Sequence, residues 1–128
     1  MKKLFDSNCQ VLRWLTVWPN HESIEYILMS KDNVIIGSCS IERGKNDNGE
    51  YFRLLSFYIQ PSYRNLSYGY HLLENVVDDF KYADIHLLVD LENEKAIKLY
   101  DRFNFIDCDD CINPNGQKWM VRKLTQKV

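Results

Sequence analysis

Residues 61–73 place an arginine and a glycine, Arg64 and Gly69, where an apolar run ending at Ile59 gives way to a helical pattern. The first four N–H groups of a helix have no intrahelical partner and lie at the positive end of the helix dipole. A small residue such as Gly69 lets an anion approach these groups. The chemistry predicted for this strand-to-helix turn is therefore phosphate binding by backbone N–H groups.

A second segment, residues 87–105, carries a tyrosine, Tyr100, on the face of a predicted helix. Its pattern predicts a short apolar strand followed by a helix. Asn93 is at the N-cap position of this helix, and Ala96, Tyr100 and Phe103 lie on one of its faces. The commoner role of a tyrosine on such a face is that of a core aromatic.

In this order, about thirty residues apart, the two segments resemble the GCN5-related N-acetyltransferase (GNAT) family. The family's pyrophosphate loop for acetyl-coenzyme A is written R/Q-x-x-G-x-G/A, and Arg64 and Gly69 match it. The pattern N-x-x-A-x-x-L-Y-x-x-x-G-F is matched from Asn93 to Phe105. The resemblance covers about residues 24–124. It implies an acetyl-CoA-dependent N-acetyltransferase in which an amine of an unknown acceptor attacks the thioester directly and Tyr100 assists the leaving thiolate.

The resemblance also implies which residues contact acetyl-CoA. They are the strand that hydrogen-bonds the pantetheine arm through its backbone, the pyrophosphate loop, and the start of the second helix: Phe57, Tyr58, Ile59, Arg64, Asn65, Leu66, Ser67, Tyr68, Gly69, Tyr70 and Asn93. For Phe57 and Tyr58 the alternative is core packing, and for Asn93 it is an N-cap.

Three residues depart from the family's glycine pattern, namely Asn65, Ser67 and Asn104. A non-glycine residue held in left-handed backbone costs roughly 1 to 2 kcal/mol, and asparagine tolerates that conformation best. These departures leave a second interpretation open, in which the chain is a catalytically inactive GNAT-like domain that binds a protein.

The sequence does not identify the base that deprotonates the acceptor amine. A lysine-like amine with a pKa near 10.4 is neutral in only about one molecule in a thousand at physiological pH. Many family members place a glutamate in the strand that here spans 51–60, but this strand has no carboxylate. Glu50 and Asp90 remain as candidates, each with a surface charge as its alternative, while His71 and His86 are expected to be structural.

Composition predicts a single globular domain over residues 1–128. The net charge of −2, without a basic run, argues against nucleic acid as a partner. The apolar stretches are far shorter than the roughly twenty residues of a membrane span, and a signal peptide is not recognisable, so no membrane partner and a cytoplasmic location are expected. The expected partners are acetyl-CoA and an amine-bearing acceptor, small molecule or protein, and a homodimer is left open.

The four cysteines, Cys9, Cys39, Cys108 and Cys111, are expected to be reduced thiols packed as small apolar groups. Cys108 and Cys111 have the spacing of a zinc knuckle. Zinc needs about four ligands, a strand sends residues three apart to opposite faces, and no second Cys/His pair is close in sequence. No metal site is predicted.

The elements that position these residues are predicted to form an α+β, GNAT-like fold: a mixed, mostly antiparallel sheet with helices on both faces. Apolar patterns predict strands at 24–30 and 34–41 joined by a hairpin, then 51–59 after a turn at 44–49, then 84–89, with a terminal hairpin of 105–112 and 117–124 around the turn 113–116. Helices are predicted at about 66–82 and 93–103. The strands at 51–60 and 84–90 are expected to be parallel neighbours that splay apart at their C-terminal ends, the first of them covered on both faces.

Residues 1–20 have the least regular pattern. Residues 11–17 suit either a strand or one helical turn, and Pro19 with Asn20 ends the element. The family normally has a strand and two helices here that wall off the acceptor site. This chain has room for about one strand, so a shortened N-terminal region and an open acceptor side are expected.

Overall fold

A computed structural model describes residues 5–47, 49–113 and 115–124, with residues 46 and 109–113 described by their backbone alone. The strands are β1 (Gln10–Val17), β2 (Glu22–Met29), β3 (Ile35–Asn46), β4 (Gly49–Ile59), β5 (Ile85–Asp90), β6 (Ile106–Asn113) and β7 (Gln117–Arg122). The helices are α1 (Tyr68–Asp79) and α2 (Glu94–Arg102), and one 3-10 turn spans Pro61–Tyr63.

The strands form one sheet in the order β1-β2-β3-β4-β5-β7-β6. Every neighbouring pair is antiparallel except β4 and β5, which are parallel. The predicted mixed, mostly antiparallel sheet is confirmed, with β4 at its centre. The two alternatives for residues 11–17 are resolved in favour of a strand, since β1 pairs with β2 along its whole length.

Some predicted boundaries were wrong. Gly44 to Asn46 were expected in a turn but belong to β3, where Gly44 pairs with Tyr51. A β-carbon on Gly44 would lie 2.6 Å from the Tyr51 ring, so the missing side chain makes room for the aromatic ring of the partner strand. The first helix is also shorter than 66–82, because Ser67 has left-handed backbone and the helical hydrogen bonds end at Phe80. In the terminal hairpin, Pro114 of the predicted turn lies outside the described residues.

Helix α1 packs on one face of the sheet near its β1 edge. The Asp79 carboxylate, at the end of α1, accepts hydrogen bonds from the Tyr26 hydroxyl of β2 at 2.8 Å and from Arg13 Nε of β1 at 2.5 Å. The apolar residues of α1 recur every three or four positions and are buried on the side of the helix that faces the sheet: Tyr68, Leu72, Leu73, Val76 and Val77.

Helix α2 packs on this same face, which corrects the expectation of helices on both faces. The Tyr100 ring of α2 lies edge-on to Phe57 of β4 at 6.1 Å, and the strand register puts Phe57 on the side of the sheet that carries Tyr26. The two helices also touch each other, through the rings of Tyr70 and Phe103 at 4.7 Å.

The opposite face of the sheet has no helix over it among the described residues, so the predicted coverage of β4 on both sides was also wrong. The link between β1 and β2, residues 18–21, is too short to carry a helix across that face. Side chains such as Trp14 and Leu88 are consequently exposed there, at 46% and 37%.

The parallel pair splays as predicted. Pairing between β4 and β5 runs only from Phe52↔Ile85 to Leu54↔Leu87, although β4 continues to Ile59 and β5 to Asp90. Ser56 has a positive φ of 55°, and the β3–β4 register is irregular opposite it. Such a bulge bends a strand, so β4 diverges from β5 and leaves its backbone edge unpaired with β5 beyond Leu54.

Two of the four cysteines, Cys9 and Cys39, are buried in the core, as expected for small apolar side chains. Cys108 is partly exposed, and the Cys111 side chain lies outside the described set. Among the described residues, neither helix has the length and apolar character needed to cross a membrane.

Candidate active site

A cleft of about 440 Å³ opens where the end of β4 meets the N-termini of α1 and α2. Its lining comes from these three elements and the turn after β4: Phe57, Tyr58, Ile59, Tyr63, Arg64, Asn65, Gly69, Asn93, Lys95, Ala96, Leu99 and Tyr100. Most of the residues singled out by sequence therefore meet at one place, although they come from segments about thirty residues apart.

Four of the predicted cofactor residues do not line this cleft: Leu66, Ser67, Tyr68 and Tyr70. Tyr68 is buried, and its hydroxyl accepts a hydrogen bond from the Asp6 N–H at 2.9 Å. The Tyr70 ring packs on Phe103. The side chains of Tyr68 and Tyr70 thus serve packing, so any role in cofactor binding belongs to the backbone.

The loop before α1 keeps left-handed backbone where the family has glycine. Asn65 has φ of 64° and Ser67 has φ of 73°, and Asn104, after α2, has φ of 68°. Ser67 occupies the N-cap position of α1, but its side chain caps no N–H group of the helix. The loop therefore has left-handed backbone at two positions that are not glycine, where that conformation is strained.

Gly69 leaves room at the floor of the cleft. A β-carbon there would lie 3.5 Å from Leu99, 3.7 Å from Ile59 and 3.8 Å from Phe57, all of which line the cleft. A larger side chain would project into this space and occupy it. The N-terminus of α1 therefore lies open to the cleft, as an anion-binding helix end requires.

The two charged side chains among the lining residues are both basic. Arg64 Nε donates a hydrogen bond to the Ile59 carbonyl at 2.8 Å, and its guanidinium lies 5.2 Å from the centre of the Tyr58 ring. Lys95 Nζ, in the first turn of α2, donates to Asn65 Oδ1 at 3.2 Å. The sequence analysis did not identify Lys95 as a site residue. Its position two residues after Asn93 places it at the start of α2, but the sequence does not show that the loop before α1 faces it.

Asn93 caps α2, as predicted. Its side-chain oxygen accepts a hydrogen bond from the Ala96 N–H at 3.2 Å, which satisfies one of the free donors at the helix start.

Tyr100 lies deep in the cleft, with 6% of its surface exposed. Burial raises the pKa of its hydroxyl to about 12, and the nearby Cys39 thiol adds to the effect. The hydroxyl is therefore protonated at physiological pH and can act as a hydrogen-bond donor. Within the described part of the chain, no hydrogen bond to this hydroxyl is formed.

A second, smaller cavity of about 220 Å³ lies in the splay between β4 and β5. Phe57, Asn93 and Tyr100 line both cavities. The rest of its lining comes from the diverging strands and the start of β7: Leu54, Ser56, Leu87, Leu88, Val89, Asp90 and Gln117. Tyr100 therefore stands where the two spaces meet.

Of the carboxylates considered as bases, Asp90 lies at this second cavity, where Asp90 Oδ1 accepts a hydrogen bond from Gln117 at 2.9 Å. Glu50 is at the other end of β4, six residues before Ser56, which is about 20 Å along an extended strand. His86 packs against Tyr51 at 4.4 Å and His71 against Phe5 at 5.6 Å, so both make structural contacts.

The fold recurs in solved structures of acyltransferases. Naa50 of Arabidopsis thaliana, solved with the bisubstrate analogue CoA-Ac-MVNAL, has a TM-score of 0.66 and 23% identity over 78% of this chain and 72% of that chain. A putative acyl-CoA N-acyltransferase of Klebsiella pneumoniae has a TM-score of 0.67 and 20% identity, over 86% and 77%. The NatC complex bound to Gag peptide and CoA has a TM-score of 0.69 and 20% identity, over 79% and 71%. At these identities the likeness establishes the fold alone.

Comparison with curated proteins gives no sequence match. The sequence model of the acetyltransferase (GNAT) family, in contrast, matches residues 1–105, which include β4, the loop, α1 and the whole of α2. Together with the sheet topology and the cleft at the splayed strands, this match establishes that the chain belongs to the GNAT acetyltransferase family.

Proposed function

We propose that this protein is an acetyl-CoA-dependent N-acetyltransferase that transfers the acetyl group directly to an amine. Membership of the GNAT family supports acetyl-CoA as the co-substrate. The observation that carries the proposal is the position of Tyr100, a buried tyrosine with a raised pKa that lines two adjoining cavities. One domain comprising residues 1–128 would hold both sites, since a single sheet joins the elements that line them.

The larger cavity suits the acetyl-CoA chain and its phosphates. The edge of β4 beyond Leu54 offers backbone groups that β5 does not use, which fits hydrogen bonding to the amides of a pantetheine arm. The N–H groups at the start of α1 and the open floor at Gly69 suit the pyrophosphate. Residues 57–59, 64–70 and Asn93 are accordingly our proposed cofactor site, the backbone supplying the contacts at 66–68 and 70.

Tyr100 is the proposed catalytic residue. Expulsion of a thiolate is eased by a donor that stabilises the developing charge on sulfur. The raised pKa of Tyr100 keeps its proton in place for this role, and its packing against Phe57 and Phe105 holds the ring in one position.

The acceptor amine would enter through the smaller cavity, from the sheet face over which the described residues form no helix. Asp90 is the carboxylate placed there to accept the proton that the amine loses. A neutral amine must be generated at a cost of about 4 kcal/mol for a lysine-like group at physiological pH, so a carboxylate beside the acceptor has a role to fill.

A second candidate function is a catalytically inactive domain that binds a protein. It is favoured by the exposed apolar side chains on the uncovered sheet face, such as Trp14 and Leu88, and by the non-glycine residues of the loop. The two candidates differ in whether acetyl-CoA binds.

Titration calorimetry with acetyl-CoA tests the proposal on three proteins, the wild type, Gly69→Asp and Gly69→Ala. The aspartate fills the floor of the cleft and repels phosphate, so we expect the affinity to fall by about a hundredfold or more. The alanine β-carbon makes only ordinary contacts, so this matched control should bind within about threefold of the wild type. A folded Gly69→Asp variant with unchanged affinity would exclude the site, and a wild type that does not bind acetyl-CoA would favour the second candidate.

A further inference from the structure

Among the described residues that line the proposed cofactor cleft, Lys95 is the basic side chain that bonds across its mouth. It belongs to the first turn of α2, yet its Nζ donates to Asn65 Oδ1 of the loop before α1, 3.2 Å away. Both residues line the cleft. The ammonium group is thus held beside the N-terminus of α1, where the proposed function puts the phosphates.

The contact with Asn65 is of a kind that a phosphate can displace. The amide oxygen is neutral, and the pair is exposed to solvent. A hydrogen bond from an ammonium to an anionic oxygen is shorter and roughly twice as strong as one to a neutral acceptor. The flexible four-carbon stem of lysine lets the ammonium move to a nearby acceptor without a change in the helix.

Resting on the proposed function, we propose that Lys95 binds a phosphate of the cofactor, exchanging Asn65 Oδ1 for a phosphate oxygen. Lys95 then adds a positive charge from α2 to a loop in which Asn65 and Ser67 have left-handed backbone. Arg64 is less free to do so, because its Nε is engaged by the Ile59 carbonyl and its guanidinium lies over the Tyr58 ring. Affinity for the cofactor therefore depends on a side chain outside the glycine loop.

Helix α2 offers a matched control in Lys98, which lies three residues further along. Lys98 has the same charge on the same helix but lines a groove on another side, with Asp101 and Ile106, and does not line the cleft. Lys95→Gln and Lys98→Gln remove one positive charge each. Glutamine at 95 keeps a polar group that can still bond Asn65, so the fold at the cleft is preserved.

The experiment measures the affinity of the wild type and both variants for CoA and for dephospho-CoA, which lacks the 3′-phosphate, at low and high salt. We expect Lys95→Gln to weaken CoA binding roughly tenfold and to reduce its dependence on salt, while Lys98→Gln stays within about twofold of the wild type. Melting curves establish that the three proteins are equally folded. If Lys95 meets the 3′-phosphate, the difference between wild type and Lys95→Gln disappears with dephospho-CoA, and if it meets the pyrophosphate, the difference persists.

Two results would overturn the inference while leaving the proposed function intact: CoA affinity unchanged by Lys95→Gln, or an equal loss in Lys98→Gln, which would reflect net charge alone. A wild type that binds neither CoA nor dephospho-CoA would overturn the proposed function and this inference with it.

Discussion

At the scale of single residues, the core packing of Tyr100 is compatible with its proposed catalytic role, although the sequence presented the two as alternatives. Its ring is a core aromatic, in contact with Phe57 and Phe105, and the residue lines both cavities. Burial both fixes the ring and raises the pKa of the hydroxyl to about 12. Packing therefore creates the conditions for proton donation.

We expect Tyr100→Phe to lower the turnover of acetyl transfer by about 10²- to 10⁴-fold, the size of a typical acid-base contribution, with acetyl-CoA affinity unchanged. Stability should change little, because no described group loses a hydrogen-bond partner with the hydroxyl. Thiol release from acetyl-CoA with a panel of amines and peptides measures turnover, and calorimetry measures affinity. Turnover equal to that of the wild type would refute the role assigned to Tyr100.

His86 offers a test of residue-level electrostatics away from the cleft. Partial burial lowers its pKa, and Lys123 acts in the same direction while Asp84 opposes it. The folded protein thus takes up a proton on His86 less readily than the unfolded chain does. The contribution of His86 to stability is therefore fully present above the unfolded pKa of about 6.5 and is lost as the pH falls below it.

Denaturant unfolding of the wild type between pH 7.5 and 5 should show a free energy of unfolding that decreases toward acid pH. We expect His86→Gln to have a shallower dependence over this range. Parallel curves for the two proteins would show that His86 does not contribute.

At the scale of elements, the loop between β4 and α1 holds a conformational strain that can be relieved. Ser67 has φ of 73°, in the left-handed region that glycine adopts without penalty, and Asn65 and Asn104 have similar angles. Asparagine tolerates this region better than serine does. The strain should therefore be concentrated at Ser67.

We expect Ser67→Gly to raise the free energy of unfolding by up to about 1 kcal/mol, the relief of left-handed strain less the greater backbone entropy of glycine in the unfolded chain. Asn104→Gly, after α2, should gain less, since asparagine suits its angle better. Chemical denaturation of both variants checks the ranking. A destabilised Ser67→Gly would show that the serine side chain contributes more than its backbone strain.

At the scale of the whole molecule, Asp79 joins the N-terminal strands to α1. It accepts hydrogen bonds from Arg13 of β1 and from Tyr26 of β2, whose side chain is 1% exposed. Arg13 and Asp79 themselves are about one-third exposed. The buried hydroxyl should therefore matter more to stability than the ion pair.

Asp79→Ala leaves the buried Tyr26 hydroxyl without its acceptor, so we expect it to lower the free energy of unfolding by about 1 to 3 kcal/mol. Arg13→Gln should lower it by less than about 1 kcal/mol, as for other exposed ion pairs. In the double variant with Tyr26→Phe, the effect of Asp79→Ala should shrink, because no unpaired hydroxyl remains. Equal losses for Asp79→Ala and Arg13→Gln would assign the stabilisation to the ion pair.

Local features of the chain were accessible from sequence. The order of strands and helices, the Asn93 cap and the strand identity of 51–59 depend on hydrophobic period and on side chains within a few residues of each other. The strain at Asn65, Ser67 and Asn104 was likewise indicated by comparison with a glycine pattern. Predicted element boundaries were wrong where pairing with another strand extends an element. Gly44, for example, belongs to β3 because it pairs with Tyr51 of the next strand, whose ring fills the space of a side chain.

The sequence by itself determined the α+β order of elements, and it predicted a phosphate-binding turn at Arg64 and Gly69 and a proton-donating role for Tyr100. Only the tertiary structure decided that both helices lie on one face, that Tyr100 stands between two cavities, that Asp90 and not Glu50 lies at the second, and that Lys95 meets Asn65. Each of these features depends on how segments far apart in the chain are arranged in space. The bulge at Ser56, the splay of β4 from β5 and the packing of α1 beside α2 set that arrangement. The hydrophobic period of a sequence shows which face of a helix or strand is apolar. It does not show which other element packs against that face.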